Sequence, residues 1–361
     1  MTIPVRLGRH SYAIVVADSY RQLPVALARL GLSRHGWVIS HPSLLVRYGA
    51  QLLGPLRQAG WTVETVTVPE SEASKSLEAA RRVVERIARR AAMRVPVLFA
   101  FGGGVIGDLT GFAAAVFRRG VPYVQLPTTL LAQVDSAIGG KVGVDLPRGK
   151  NLLGAFHQPR IVWNHVGLLR SLPARQRRSG LAEVIKYGVI ADPALFRFLE
   201  EHLAECLQLA PRAIRVMVER SCRIKARVVS RDERETHSVR AQLNFGHTLG
   251  HALEAATGYR RWTHGEAIAI GMCAAARLSE AAGRLPAAEA ERIVRLIRAV
   301  GLPTRATRVS RPAVWAALRY DKKFIRGRPR WVLPTRIGRV VVTEDVPEPL
   351  ARRVVNDHLA A

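Results

Sequence analysis

The chain predicts two domains: an α/β domain built on a parallel sheet over residues 1–172, and an all-helical domain over residues 173–361. Two observations carry this. Short apolar runs alternate with amphipathic stretches through the first half, and from about Leu172 the texture changes to long Ala-, Leu- and Arg-rich stretches with few strand signals. The change falls at Ser171-Leu172-Pro173.

Taken in order, Tyr12–Ala17, Gly36–Ser40, Trp61–Val68, Val95–Phe101 and Tyr123–Leu126 read as strands. Between them, Ser43–Ala59 and Ser76–Ala92 have helical periodicity. The second helix follows a cap region, Ser71/Ser74, that also carries Glu70 and Glu72. This βαβα order calls for parallel strands with covering helices. In the second half Pro193–Leu209, Pro211–Val229, His247–Ala256, Glu266–Ala282 and Ala287–Val300 read as helices, and Arg330–Val342 has the pattern of a short strand pair.

Composition narrows the function. The 361 residues are 48% hydrophobic and 23% charged, well away from disorder, and no run of about 18 uncharged apolar residues offers a membrane span. Three scattered cysteines, Cys206, Cys222 and Cys273, build neither a disulfide framework nor a CxxC metal site. No basic leader with an apolar stretch follows Met1, so a cytoplasmic protein is expected. The net charge of +27 would suit a polyanion partner. However, only seven of the 55 cations are lysines, and the arginines are dispersed from Arg6 to Arg353 without aromatic interleaving. Specific nucleic-acid binding is therefore not expected. Where arginine is the default cation, a retained lysine marks a place that needs a compact ammonium.

Several segments carry chemistry. Phe101-Gly-Gly-Gly-Val-Ile-Gly107-Asp108 follows a strand and opens a helix, so backbone N–H groups and the helix dipole can face a pyrophosphate, in a Rossmann-like arrangement. The motif is weak alone, since a tight strand-to-helix turn has the same glycines and no acid follows at about twenty residues. Pro127-Thr128-Thr129 sets hydroxyls at another strand's carboxyl end, and Gln133 to Asn151 packs Asp135, Lys141, Lys150 and Asn151 among glycines. That mixture suits a small, anionic, polyhydroxylated ligand. Finally, His247 and His251 stand four apart on one helical face, with His264 thirteen residues further on, and zinc is the natural ion for such a set. An acid must join them. Glu183, one turn from Lys186 in an apolar segment, is a candidate, though a structural ion pair has the same spacing.

Together these segments resemble the 3-dehydroquinate synthase family of sugar-phosphate cyclases. The resemblance runs from about residue 70 to about 325 through PESEASKS, FGGGVIGDLTGF, RRGVPYVQLPTTLLAQVDSAIGGKVGVD, GKNLLGAFHQP, SGLAEVIKYG, LNFGHTLGHA, HGEAIAIGM and DKK. It implies a dehydroquinate synthase-like fold, with an NAD-binding α/β domain and a helical metal-binding domain, and a homodimer. It also implies a lyase reaction of aromatic amino-acid biosynthesis. In that reaction 3-deoxy-D-arabino-heptulosonate 7-phosphate becomes 3-dehydroquinate plus orthophosphate through transient oxidation by NAD, elimination, reduction and aldol closure.

By resemblance, the metal ligands for Zn2+ or Co2+ fall on Glu183, His247 and His264, with His251 becoming a site histidine that does not bind the metal. The substrate set falls on Asp135, Lys141, Asn151, Lys186, Lys225, Arg240, Asn244 and Lys322, with Arg119 reaching the phosphate site from its own or the neighbouring subunit. The NAD set falls on Glu72, Lys75, Gly103, Gly104, Asp108, Thr128, Thr129 and Lys150. One departure concerns NAD: where the family usually has an acid after the second strand, this chain reads Ser40-His41-Pro42. Sibling cyclases acting on sedoheptulose 7-phosphate or glucose 6-phosphate are the nearest alternative.

Overall fold

The computed structural model describes residues 1–90, 95–146, 149–320, 324–325 and 328–360. They form two compact units, Met1–Leu172 with Lys225–Ser230, and Pro173–Ile224 with Arg231–Ala361.

The first unit runs β1 (Thr2–Val5), β2 (Tyr12–Ala17), α1 (Leu23–Ala28), β3 (His35–Ser40), α2 (Pro42–Gln58), β4 (Thr62–Thr67), α3 (Leu77–Ala88), β5 (Val97–Gly102), α4 (Gly104–Val116), β6 (Tyr123–Pro127), β7 (Lys141–Leu146), β8 (Gly149–Phe156) and β9 (Ile161–His165). Seven strands form one sheet in the order β1-β2-β9-β6-β5-β3-β4, parallel throughout except for β1 against β2. Residues 91 and 92, the last of the predicted second helix, lie outside the described residues.

Central β5 is buried at every position, as a strand covered on both faces must be. Its side chains alternate between two cores. Leu98 and Ala100 join Ile39, Ile106 and Leu109 on one face, while Val97, Phe99 and Phe101 join Val38, Leu52 and Leu56 on the other. Chain order reverses between β3 and β5, which puts Ser40-His41 and the Gly102–Gly104 turn side by side at the carboxyl edge, where α/β sheets bind ligands.

The structure adds strands to the sequence reading. Strands β1 and β9 complete the sheet. Strands β7 and β8 pair antiparallel, with Gly143 opposite Gly154. A Cβ on either glycine would lie 2.8 or 2.5 Å from a partner-strand carbonyl oxygen, so only glycine fits there.

The second unit contains α5 (Ala174–Ala191), α6 (Pro193–Glu201), α7 (Leu203–Gln208), α8 (Pro211–Arg231, whose residues 225–230 belong to the first unit), α9 (His247–Ala256), α10 (His264–Ala281), α11 (Ala287–Ala299) and α12 (Arg311–Tyr320). It ends with β10 (Phe324–Ile325), β11 (Arg328–Pro329), β12 (Trp331–Arg336), β13 (Arg339–Thr343) and α13 (Glu348–Asp357). The predicted helix over Pro193–Leu209 breaks into two at His202, whose φ of −119° is not helical. The strand pair expected over Arg330–Val342 is present in this mainly helical unit. Strands β12 and β13 pair antiparallel about Ile337-Gly338, with Gly338 at φ 93°, while Trp331, Val332 and Leu333 are buried and the Ser279 hydroxyl of α10 donates to the Pro334 carbonyl.

Candidate active site

The first unit holds all eight residues that the resemblance assigns to NAD. Gly103 is the N-cap of α4, Gly104 begins that helix and Asp108 lies in its second turn. The turn is dense. A Cβ on Gly102 would lie 2.6 Å from Ile106, and one on Gly103 would lie 3.1 Å from Thr129. Thr128 N–H donates to the Gly102 carbonyl at 2.9 Å, locking the Thr128-Thr129 segment against the glycine turn.

Lys75 is the hub of this region. Its ammonium donates to Asp108 and to the Asn151 amide oxygen, each at 2.5 Å. Burial disfavours the Lys75 charge, yet Asp108 outweighs this and raises its pKa; burial likewise raises the Asp108 carboxyl, with Lys75 opposing. Asn151, assigned to the substrate, is thus bonded to a lysine assigned to NAD. It has a left-handed φ of 55°, and its N–H donates to Asp145 at 2.8 Å. Lys150 meets Glu72 at 2.6 Å. His41, the departure from the family pattern, is buried, with its Nδ1 held by the Val68 carbonyl at 2.9 Å.

Two sequence features take on unexpected geometry here. Ala132–Ser136 forms a π-helical turn, a form often found at functional sites, and it carries Asp135. Lys225 reaches this turn, donating to the Asp135 carbonyl at 2.7 Å and pairing with its carboxylate at 2.9 Å. Arg118 and Arg119 both have positive φ, 49° and 63°, and Arg119 is exposed. Lys141 opens β7 and is exposed as well.

The second unit holds a different constellation, and glycines explain its placement. A Cβ on Gly265 would lie 2.1 Å from the Ser179 carbonyl, so the start of α10 rests on α5 one turn before Glu183. A Cβ on Gly271 would lie 1.9 Å from the Gly246 carbonyl, which brings the start of α9 against α10. His264 and His247, the first residues of α10 and α9, therefore converge on Glu183. Thr263 and Glu266 form a capping box, and Arg175 grips Glu266 in a two-pronged pair at 2.8 and 2.7 Å, so Glu266 serves the helix end.

The Glu183 carboxylate is fully buried, with His247 Nε2 at 3.5 Å and His264 Nε2 at 3.3 Å from the same oxygen. Lys186 pairs with the other oxygen. Burial would raise the Glu183 pKa, but Lys186 and then the two histidines hold it well below the usual carboxylate range. Burial pushes His247 down to about 3, so the ring is neutral. Its Nδ1 donates to the Phe245 carbonyl at 3.1 Å, which leaves the Nε2 lone pair facing a carboxylate oxygen. Two acceptors facing each other call for a cation. Ligand atoms about 2.0–2.1 Å from a tetrahedral zinc lie roughly 3.4 Å apart, which matches the spacing here. Burial also opposes charge on His264, but Glu254 and Glu183 overcome it and raise that ring to about 10. These three residues fit a divalent metal, and His251, Glu254 and His264 form a second close group.

Arg240 is buried, with its guanidinium on the Glu233 carbonyl at 2.6 Å, and Asn244 closes the turn that leads into α9. Lys322 lies outside the described residues. Sequence reasoning missed Glu254, whose only signal was its place seven residues after His247 on the helical stripe. The three cysteines are buried, as expected.

This parallel-sheet unit with a glycine turn, and a helical unit with a Glu-His-His cluster, define the class of sugar-phosphate cyclase-like proteins. In solved structures, a 2-epi-5-epi-valiolone synthase from Streptomyces hygroscopicus with NAD+ and Zn2+ bound matches with a TM-score of 0.87 and 30% identity, covering 96% of each chain. A 2-deoxy-scyllo-inosose synthase complexed with carbaglucose-6-phosphate, NAD+ and Co2+ matches at 0.86 and 25%, covering 99% of this chain and 100% of that one. The family models for the 3-dehydroquinate synthase N-terminal and C-terminal parts match residues 65–179 and 180–324. Curated relatives include the 3-dehydroquinate synthases of Nostoc punctiforme, 46% identical over 98% of both chains, and of Pelotomaculum thermopropionicum, 47% identical over 94% of this chain and 92% of that one. The chain belongs to the 3-dehydroquinate synthase family.

Proposed function

We propose that this chain is a lyase that converts 3-deoxy-D-arabino-heptulosonate 7-phosphate to 3-dehydroquinate and orthophosphate, with NAD and Zn2+ or Co2+ as cofactors. The observation that carries this reading is the buried Glu183-His247-His264 cluster in a chain 46% identical to a 3-dehydroquinate synthase over nearly its whole length. Glu72, Lys75, Gly103, Gly104, Asp108, Thr128, Thr129 and Lys150 would hold NAD, and Glu183, His247 and His264 the metal. When bound, these groups supply a hydride acceptor and a Lewis acid for a substrate oxygen.

The chain's own side chains do the rest. Lys141, Lys225 and Arg119 present positive charge to the anionic groups of the substrate, and Asp135, Asn151 and Asn244 orient its hydroxyls. Lys186, Arg240 and Lys322 complete that set, and His251 moves a proton. Exposed Val116, Leu152 and Phe156, on α4 and on β8 packed against it, support self-association as a homodimer. No helix among the described residues is long and apolar enough to cross a membrane, in keeping with a cytoplasmic site of action.

A sibling cyclase acting on another sugar phosphate is the second reading, favoured by the likeness to valiolone synthase. One assay separates them. Orthophosphate release from the heptulosonate phosphate with trace NAD, without net NADH, is the expected result. Turnover of sedoheptulose 7-phosphate or glucose 6-phosphate in its place would overturn the assignment.

Lys225 gives a sharper test of the assigned roles. Its buried ammonium makes two contacts with one residue, Asp135, in a niche suited to a point charge. Lys225→Arg is expected to lower kcat/KM by more than about tenfold, roughly 1.4 kcal/mol, because the planar fork is bulkier. Wild-type kinetics in this variant would remove Lys225 from the substrate set.

A further inference from the structure

Each metal-facing histidine has a second ring nitrogen, and the structure gives each of these a partner. His247 Nδ1 meets the Phe245 carbonyl, and His264 Nδ1 faces Glu254 Oε1 at 3.4 Å. Glu254 is only 6% exposed and belongs to α9, on the same stripe as His247 and His251. A carboxylate so buried needs a partner that offsets the loss of water. It faces the ring that turns its other nitrogen toward Glu183.

We infer that Glu254 is a positioning residue for the metal, accepting the Nδ1–H of His264 and so fixing the tautomer that presents the Nε2 lone pair. The inference rests on the metal reading of Glu183, His247 and His264. Partners of this kind set the ring orientation and the basicity of a metal-binding histidine. The α9 helix thus contributes twice, through His247 directly and through Glu254 by way of α10.

His251, Glu254 and His264 could instead hold a second ion. His264 would then have to bind two metals through both nitrogens, which requires an imidazolate; a neutral ring with Nδ1–H has only the Nε2 lone pair. The positioning role needs no such deprotonation.

The test is Co2+ binding to the full chain by chelator competition, comparing wild type, Glu254→Gln and Glu254→Ala, with the cobalt absorption spectrum recorded for each. Glu254→Gln keeps the side-chain shape and an oxygen acceptor, and so guards against misfolding of the smaller variant. Wild type is expected to bind one Co2+ per protomer. The Kd is expected to rise by about 10- to 100-fold in Glu254→Ala and by a smaller factor in Glu254→Gln, with altered spectra. Unchanged Kd and spectra in both folded variants would overturn the positioning role while leaving the metal site intact. Two ions in wild type and one in Glu254→Ala would make Glu254 a ligand instead. A folded wild type that binds no Co2+ would overturn the metal reading itself, and this inference with it.

Discussion

Exhaustive chelation abolishes orthophosphate release, and added Zn2+ or Co2+ restores it: that is the expected result with the largest effect. The buried Glu183 oxygen faces two ring nitrogens at 3.3 and 3.5 Å, one of them a neutral acceptor, in an arrangement that a cation completes. Lewis-acid help worth several kcal/mol corresponds to a rate loss of roughly 10³-fold or more when the ion is removed. Thermal unfolding provides a second readout, since an ion at 100 times its Kd stabilises the folded state by about 2.7 kcal/mol. Glu183→Gln should reproduce the chelated phenotype without rescue by added metal. That variant also leaves the buried Lys186 ammonium without its countercharge, so a lower melting temperature is expected as well. Full turnover in metal-free protein would remove the metal from the mechanism.

The parts of the fold that were legible in the sequence are those where local pattern and burial agree. Val97–Gly102 is a continuous apolar run because both faces of its strand are covered, and the glycines after it announce a turn. The pairing of β7 with β8 has no clear strand signal in the sequence, for a physical reason. Its facing glycines exist to let two backbones approach, and glycines at three positions of the two strands dilute the strand alternation. The π turn at Ala132–Ser136 and the Lys75 link to Asn151 are products of packing over separations that no local pattern encodes. Helix spacing placed His247 and His251 on one face but could not rank them. The ranking comes from Gly265 and Gly271, which fix where α10 begins relative to α5 and α9.

That face supports the second large prediction. His247 Nε2 lies 3.5 Å from Glu183, whereas His251 is absent from the group that closes around that carboxylate. The two rings meet edge to face, with centroids 5.2 Å apart, and the His251 ring lies 6.1 Å from that of His264. His251 therefore stands beside the proposed metal ligands, and the proton-transfer role proposed for it rests on that adjacency. His247→Ala is expected to lower the metal bound per protomer, because one of three protein ligands is gone. His251→Ala should keep its metal and lose turnover by about 10²–10⁴-fold, the usual contribution of a positioned proton-transfer group. Elemental analysis beside steady-state kinetics reads both quantities on the same samples. If His251→Ala lost its metal while His247→Ala kept it, the roles would be reversed, and His251, Glu254 and His264 would become the metal site in place of the cluster on Glu183.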